Sequence, residues 1–301
     1  MSIVCDGAPI RRDEWRELAN RPYARTRAIV TTYVPGSPWS LRRGAHAPKA
    51  VAAGMQAMFQ ANVGIHRQET IDTSVDLLSS NVGQSDPDVL WIASLALIHA
   101  GETAIAEQQC ADIAYGAESF SREHRITGRI LLARMHSLAG KYDQARALLR
   151  STLVEGIEEL MRPVTVAWLT EALVRNGNLD AAARLLDAHG FAGELDEFPD
   201  LALILAARGI FHHVQGRFHE SLNDQLGCGE LLTALHVANP CVVPWRVNAA
   251  VAALQIGLRE QAIDLAEQEL ILARRWGNPD GIERALALGS HVGAAGPRPL
   301  T

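Results

Sequence analysis

The sequence predicts an all-α solenoid of about six stacked helical hairpins, on three observations. One pattern recurs five times: a small residue, a glycine seven positions on, and a second small residue five after that. Its instances are Ser94, Gly101 and Ala106; Ala133, Gly140 and Ala145; Thr170, Gly177 and Ala182; Gly209, Gly216 and Ser221; and Ala250, Gly257 and Ala262. The central glycines are 39, 37, 39 and 41 residues apart, a period that fits one helix–turn–helix unit. Composition agrees: 48% of residues are hydrophobic and only 5% aromatic, which suits closely packed helices and argues against disorder.

The repeat has a physical logic. Two helices of a hairpin approach closely only where their crossing point carries small side chains. The residue seven before each glycine and the one five after it are therefore expected to face each other. The glycine ends the first helix, because a left-handed residue there meets no Cβ clash. A single hairpin cannot bury its apolar face, so neighbours stack and share a continuous core. A chain of 301 residues is long for one compact core, but a stack grows in one dimension and escapes that limit.

In chain order, residues 1–46 differ from the rest and are expected to form an N-terminal cap or arm. Arg11 to Asn20 suits one short helix, and Thr31-Thr-Tyr-Val-Pro-Gly-Ser-Pro-Trp39 breaks regular helix with its prolines and glycine. The helical repeats are expected over 47–288. Residues 48–80 read as a degenerate first repeat. Gly64 stands 37 residues before Gly101 and Ala57 holds the first small position, but Glu69 replaces the second; terminal repeats are often atypical. First helices are predicted at about 87–100, 122–139, 161–176, 200–215 and 244–256. Second helices are predicted at about 103–118, 141–155, 178–188, 217–236 and 258–276. Pro87, Pro163, Pro199 and Pro244 fall near first-helix starts, where a missing N–H is harmless. Residues 289–301, with their glycines and prolines, read as a C-terminal tail.

The bulk numbers exclude several classes. A net charge of −6 with no basic face argues against direct nucleic-acid binding by this chain. Cys5, Cys110, Cys228 and Cys241 are scattered, with no metal or redox spacing and no disulfide framework. The first residues lack a charged stretch followed by an apolar one, so no secretory signal is expected. No uncharged apolar run is long enough to span a membrane. A cytoplasmic setting is the expectation.

The pattern of a small residue, glycine, aromatic and alanine resembles the tetratricopeptide repeat (TPR). Gly140-Lys-Tyr142-Asp-Gln-Ala145 fits it fully, and Leu179 and Phe218 hold the aromatic position elsewhere. The fold is therefore expected to be a TPR-like α-solenoid, with a period longer than the usual one. A closer likeness runs from about Asp88 to Gly289. Three stretches resemble the helical-repeat region of large ATP-binding LuxR-type bacterial transcriptional regulators. They are Gly177-Asn-Leu-Asp-Ala-Ala-Ala-Arg-Leu-Leu-Asp-Ala-His-Gly190, Cys228-Gly-Glu-Leu-Leu-Thr-Ala-Leu-His-Val-Ala-Asn-Pro-Cys-Val-Val-Pro-Trp-Arg246 and Ala266-Glu-Gln-Glu-Leu-Ile-Leu-Ala-Arg-Arg-Trp-Gly277. Those regulators also carry a phosphate-binding Gly-x4-Gly-Lys-Ser/Thr loop and a helix-turn-helix; this sequence has neither motif.

The TPR likeness implies that first helices line a concave face. Its groove positions fall on Trp91, His99, Thr127, Arg134, Ser137, Glu171, Arg175, His213 and Gln255, among Leu95, Ile98, Ile130, Leu138, Val174 and Ile210. From these, Trp91, His99, Arg134, Ser137, Glu171, Arg175, Ile210 and His213 are the candidate ligand-binding residues. An apolar groove with a few polar anchors suits a small metabolite or a peptide or protein segment, and Arg134, Glu171 and Arg175 suit a charged network or a grip on a carboxylate. Replacing Arg134 or Arg175 with alanine is expected to leave folding nearly intact.

His212, His213 and His219 cluster near one turn, but adjacent helical histidines point about 100° apart and make a poor chelate. No metal and no cofactor are implied. No His-Glu-x-x-His or Gly-x-Ser-x-Gly motif is present, so no catalytic residue is assigned. A ligand- or partner-binding module is therefore expected, and the likeness to LuxR-type regulators implies that it is sensory and linked to transcriptional regulation; a homodimer is compatible with it. The alternative is an enzyme on the same scaffold, acting on a hydrophobic metabolite in the groove with His99 or His213 as a base.

Overall fold

The computed structural model describes residues 49–80, 86–116, 120–157, 161–195 and 201–294. These residues contain thirteen helices and no strand. Six hairpins follow one another: α1 (Lys49–Val63) with α2 (Arg67–Ser79), α3 (Pro87–Ala100) with α4 (Ala104–Tyr115), and α5 (Arg122–Leu138) with α6 (Tyr142–Glu155). Next come α7 (Arg162–Arg175) with α8 (Leu179–Ala188), α9 (Leu201–Val214) with α10 (Phe218–Ala234), and α11 (Trp245–Gln255) with α12 (Arg259–Trp276). A thirteenth helix, α13 (Pro279–Ala294), ends the described chain. The expected N-terminal cap or arm, residues 1–46, lies outside the described residues.

The hairpin glycines act as the repeat predicts. Gly64, Gly101, Gly140, Gly177, Gly216 and Gly257 all have φ between +74° and +82°. At Gly140 the Lys141 amide donates to the His136 carbonyl at 2.8 Å and the Gly140 amide to Ser137 at 3.1 Å. These are the paired bonds of a left-handed helix cap. The small residues on both sides are fully buried, Ser94, Ala133 and Thr170 as much as Ala106, Ala145 and Ala182. Where the crossing contact is resolved, it comes from one turn further along the second helix than the repeat pattern suggests. Ser94 Oγ meets Cys110 Sγ at 3.8 Å, and a Cβ on Gly209 would stand 2.5 Å from Gln225 Nε2.

The first hairpin keeps this plan with one residue inserted. His66 adopts a left-handed conformation, φ 55°, and delays α2 by one residue. Thr70 and Ser74 therefore take the buried small positions, while Glu69 turns to solvent.

First helices form an inner layer and are buried nearly all round; α3 is buried from Asp88 through Ala100. Second helices form an outer layer with a narrow buried stripe; on α8 only Ala182 and Leu186 are buried. Consecutive first helices touch, and α2, α4, α6 and α10 each pack on the next first helix as well. This is how each hairpin covers its neighbour's apolar face.

The two ends of the stack meet. The last turns of α1 and α3 expose carbonyls that no intrahelical N–H can reach. Residues far along the chain supply the donors. Asn239 Nδ2 donates to Ala61 O at 2.7 Å, and the Ala238 and Asn239 amides donate to Asn62 O at 2.9 and 3.0 Å. Trp276 Nε1 donates to His99 O at 2.8 Å, and Asn278 Nδ2 to Ala100 O at 2.9 Å. Arg275 adds a hydrogen bond to Val63 O. The hairpins thus close into a ring.

Helix α13 was not legible as such. Residues 289–301 read as a tail through their glycines and prolines, yet the helix runs through residue 289 to Ala294. Its buried residues Gly281, Ala285, Leu288 and Val292 make one stripe that packs on α12 and α11. Asn278 caps its start by accepting from the Gly281 amide at 2.8 Å.

Two glycines inside α10 give a test of the packing. A Cβ on Gly229 would sit 2.6 Å from the Trp245 ring, whereas one on Gly227 meets only Leu205 Cδ1 at 3.4 Å. Gly227→Ala is expected to stabilise by about 0.5–1 kcal/mol through helix propensity. Gly229→Ala is expected to destabilise by about 1–3 kcal/mol through overpacking. Urea unfolding of the two variants reads the opposite signs.

Candidate functional site

The inner face carries a shallow recess whose enclosed room is about 30 Å³, or about 390 Å³ counted out to solvent. It lies among α5, α7, α9 and the start of α11. Arg134 comes from α5, Trp168, Glu171 and Arg175 from α7, and Leu203 and Ile210 from α9. Val242, Val243 and Pro244 cross one side as a wall, and Asn248 of α11 completes it.

Helical spacing sets the polar end of the recess. Trp168, Glu171 and Arg175 fall three and four residues apart, so they share one face of α7. Arg134 reaches across from α5 and donates to Glu171 Oε2 at 2.7 Å. Its guanidinium also lies over the Trp168 ring, 5.3 Å from the centroid. Behind, Trp168 stacks on Trp91 at 6.1 Å. Burial works to raise the Glu171 carboxyl, but the charge and hydrogen bond of Arg134, aided by Arg175, hold it below its usual range. Glu171 is thus ionised at neutral pH.

Of the eight candidate residues, the structure brings Arg134, Glu171, Arg175 and Ile210 together in the recess. Trp91 is buried behind it in the tryptophan stack. His99 is buried on α3. Burial, and then the positive charge of Arg134, push its imidazole down to about 3, so it is neutral. Its backbone carbonyl takes part in ring closure. Ser137 is buried near the end of α5. His213 stands edge-on against Phe218 of its own hairpin, 5.2 Å between ring centres.

Sequence reasoning missed Trp168, Asn248 and the wall at 242–244. Trp168 lies nine before Gly177, outside the groove positions that the TPR likeness supplies. The wall lies inside the Asn-Pro-Cys-Val-Val-Pro-Trp-Arg stretch, which reads in sequence as a connection between helices.

Other polar clusters are structural in arrangement. Arg208 forks onto Asp224 at 2.9 and 2.6 Å, and His212 Nδ1 stands 3.1 Å from the same carboxylate. Arg208 also ties down the Phe191 and Gly193 carbonyls. His212 and His213 thus have separate environments. Glu269 is fully buried, and burial raises its carboxyl to about 7 against the pull of Arg284 and Arg246. Burial pushes the Cys110 thiol up to about 12 and raises Cys228 further, which leaves both protonated and poor nucleophiles. Among the described residues, no three His, Cys, Asp or Glu side chains come together as a metal site, and no helix is long and apolar enough to cross a membrane.

Comparison with solved structures adds a likeness. The chain is similar to a chain in a solved structure titled "Crystal structure of APC/C hetero-tetramer Cut9-Hcn1", with a TM-score of 0.56 and 14% sequence identity. The match covers 96% of this chain and 54% of that one, so this chain spans about half the length of its neighbour. At that identity the likeness concerns fold alone, and it supports a TPR-like helical repeat. No protein family matches the sequence. No curated protein matches it.

Two predictions follow from the geometry. Arg134 and Arg175 are not equivalent, contrary to the expectation from sequence. Arg134→Ala leaves the half-buried Glu171 unpaired and is expected to cost roughly 1–3 kcal/mol, whereas the exposed Arg175→Ala should stay within about 0.5 kcal/mol of wild type; chemical denaturation separates them. His99 is neutral when folded but binds a proton near its ordinary value when unfolded. The unfolded chain therefore holds more protons between about pH 6.5 and 3, and stability falls as pH drops through that window. His99→Gln should reduce that slope by up to about 1.4 kcal/mol per pH unit, read from unfolding midpoints against pH.

Proposed function

We propose that this chain is a ligand-binding helical-repeat module and that the recess is its binding site. The observation that carries the reading is a partly open recess walled by four separate elements of a closed ring, with an ion pair at one end and apolar walls elsewhere. Burying charge is expensive unless it is paired, and a position needed only for packing is more stably filled by apolar side chains. Concave sites with apolar walls and a few fixed polar groups are where small ligands bind.

The loop from His236 to Pro244 suggests how occupancy is sensed. Its Ala238 and Asn239 amides hold the end of α1, and its Val242, Val243 and Pro244 wall the recess. A ligand that presses on this wall acts on the same short segment that closes the ring. Binding then favours one curvature of the stack, and an attached or partner domain reads the change. The likeness to the repeat region of LuxR-type regulators supports placing such a module in transcriptional regulation.

Native mass spectrometry of the purified chain against a library of small metabolites tests the reading. An adduct is expected that quenches tryptophan fluorescence, through Trp168, and that Ile210→Trp weakens at least tenfold by filling the recess. Adducts that survive Ile210→Trp unchanged place binding elsewhere and end the proposal.

A further inference from the structure

We propose that the recess takes a small apolar monocarboxylic acid, one charged end on a compact hydrocarbon or aromatic body. This rests on the recess being the binding site. The ionisable residues lining it are Arg134, Glu171 and Arg175, two guanidiniums against one carboxylate. An occupant with a single negative charge balances them.

Arg134 is already engaged by Glu171 and Trp168. Arg175 is exposed, one turn beyond Glu171 on the same face of α7, so its fork of donors is open to a ligand. Asn248 supplies the second donor. Its Nδ2 is buried, lines the recess and has no hydrogen-bond partner. A buried donor left unmatched costs free energy that a ligand oxygen returns. A carboxylate offers two oxygens, one for each donor, and charge-assisted bonds are the stronger kind.

The body of the ligand is set by the rest of the lining. Leu203, Ile210, Val242, Val243 and the Trp168 ring present carbon surface. The recess is shallow: its enclosed room is about 30 Å³ and the rest of its space is open to solvent, so the carboxylate and first carbons of the acid enter it and the remaining body lies along the apolar lining beside the 242–244 wall.

The test titrates the whole chain with octanoate and phenylpropionate, and with octanol and phenylpropanol as uncharged counterparts, by calorimetry and tryptophan quenching. At least one acid is expected to bind at least tenfold more tightly than its alcohol. Arg175→Gln and Asn248→Ala should each weaken the acid about tenfold and leave the alcohol unchanged. Neither substitution removes a packing or ion-pair contact that folding needs, and a matching melting temperature checks this. Alcohols that bind as well as the acids overturn the monocarboxylate assignment while leaving the recess as a binding site. So does acid affinity that both variants leave intact. A leucine-ended peptide that binds through its free carboxylate where both acids fail overturns it in favour of a peptide. If both acids fail and Ile210→Trp blocks a different metabolite adduct, the acid class is wrong and the recess reading stands. If Ile210→Trp blocks nothing, both fall.

Discussion

The satisfaction of helix-end carbonyls across the ring is the constraint on which the rest depends. A repeat stack can in principle continue without limit, because each hairpin contacts only its neighbours. Here α1 and α3 end in carbonyls that need donors, and those donors sit 177 and 178 residues further along the chain, on Trp276, Asn278 and Asn239. Two asparagines each serve two ends. Asn278 caps α3 with its amide and α13 with its carbonyl, and Asn239 binds Ala61 while turning its own loop toward Cys241. Gly101 lies so close to Asn278 Nδ2 that a Cβ would stand 2.2 Å away. The hairpin glycine therefore serves the seam as well as its own turn.

Closure decides how the inner face is used. A TPR-like likeness implies an open concave groove, but the loop before α11 and the end of α12 bond to the ends of α1 and α3. Tryptophans fill much of the remaining volume, with Trp91 against Trp168 and Trp276 against the end of α3. Two of the inner charges are matched by direct ion pairs. Arg134 is paired with Glu171 beside the recess, and Arg208 with Asp224 where it pins the loop after α8. The first pair borders space that a ligand can enter. The second also donates to the Phe191 and Gly193 carbonyls and so anchors that loop.

Much of the architecture was legible because it is local. A left-handed glycine, a small residue on each side and an apolar run before and after are all properties of neighbouring residues, and five helix pairs appear within three residues of where that pattern puts them. The exceptions are instructive. The first hairpin looked degenerate because one residue is inserted at His66, which shifts the buried small position from Glu69 to Thr70. Helix α13 runs into the expected tail, where glycines at 289 and 293 weaken the helix signal. It is stabilised by its stripe on α12 and by a Gly281 that lies close to Cys241, where a Cβ would stand 3.0 Å from Sγ.

The candidate site was half legible. The TPR likeness implied groove positions for Arg134, Glu171, Arg175 and Ile210, and helical register then fixes which of them share a side. It also placed Trp91, His99 and Ser137 inward, and these became core once distant elements packed against them. Sequence by itself determined the helices, their pairing and their order, since each follows from contacts between residues close in the chain. Tertiary structure alone decided that the stack closes and that Val242, Val243 and Pro244 wall the recess. It also decided that Asn248 faces that space with an unmatched donor. Those outcomes depend on hydrogen bonds between residues up to 212 positions apart, which no local pattern encodes.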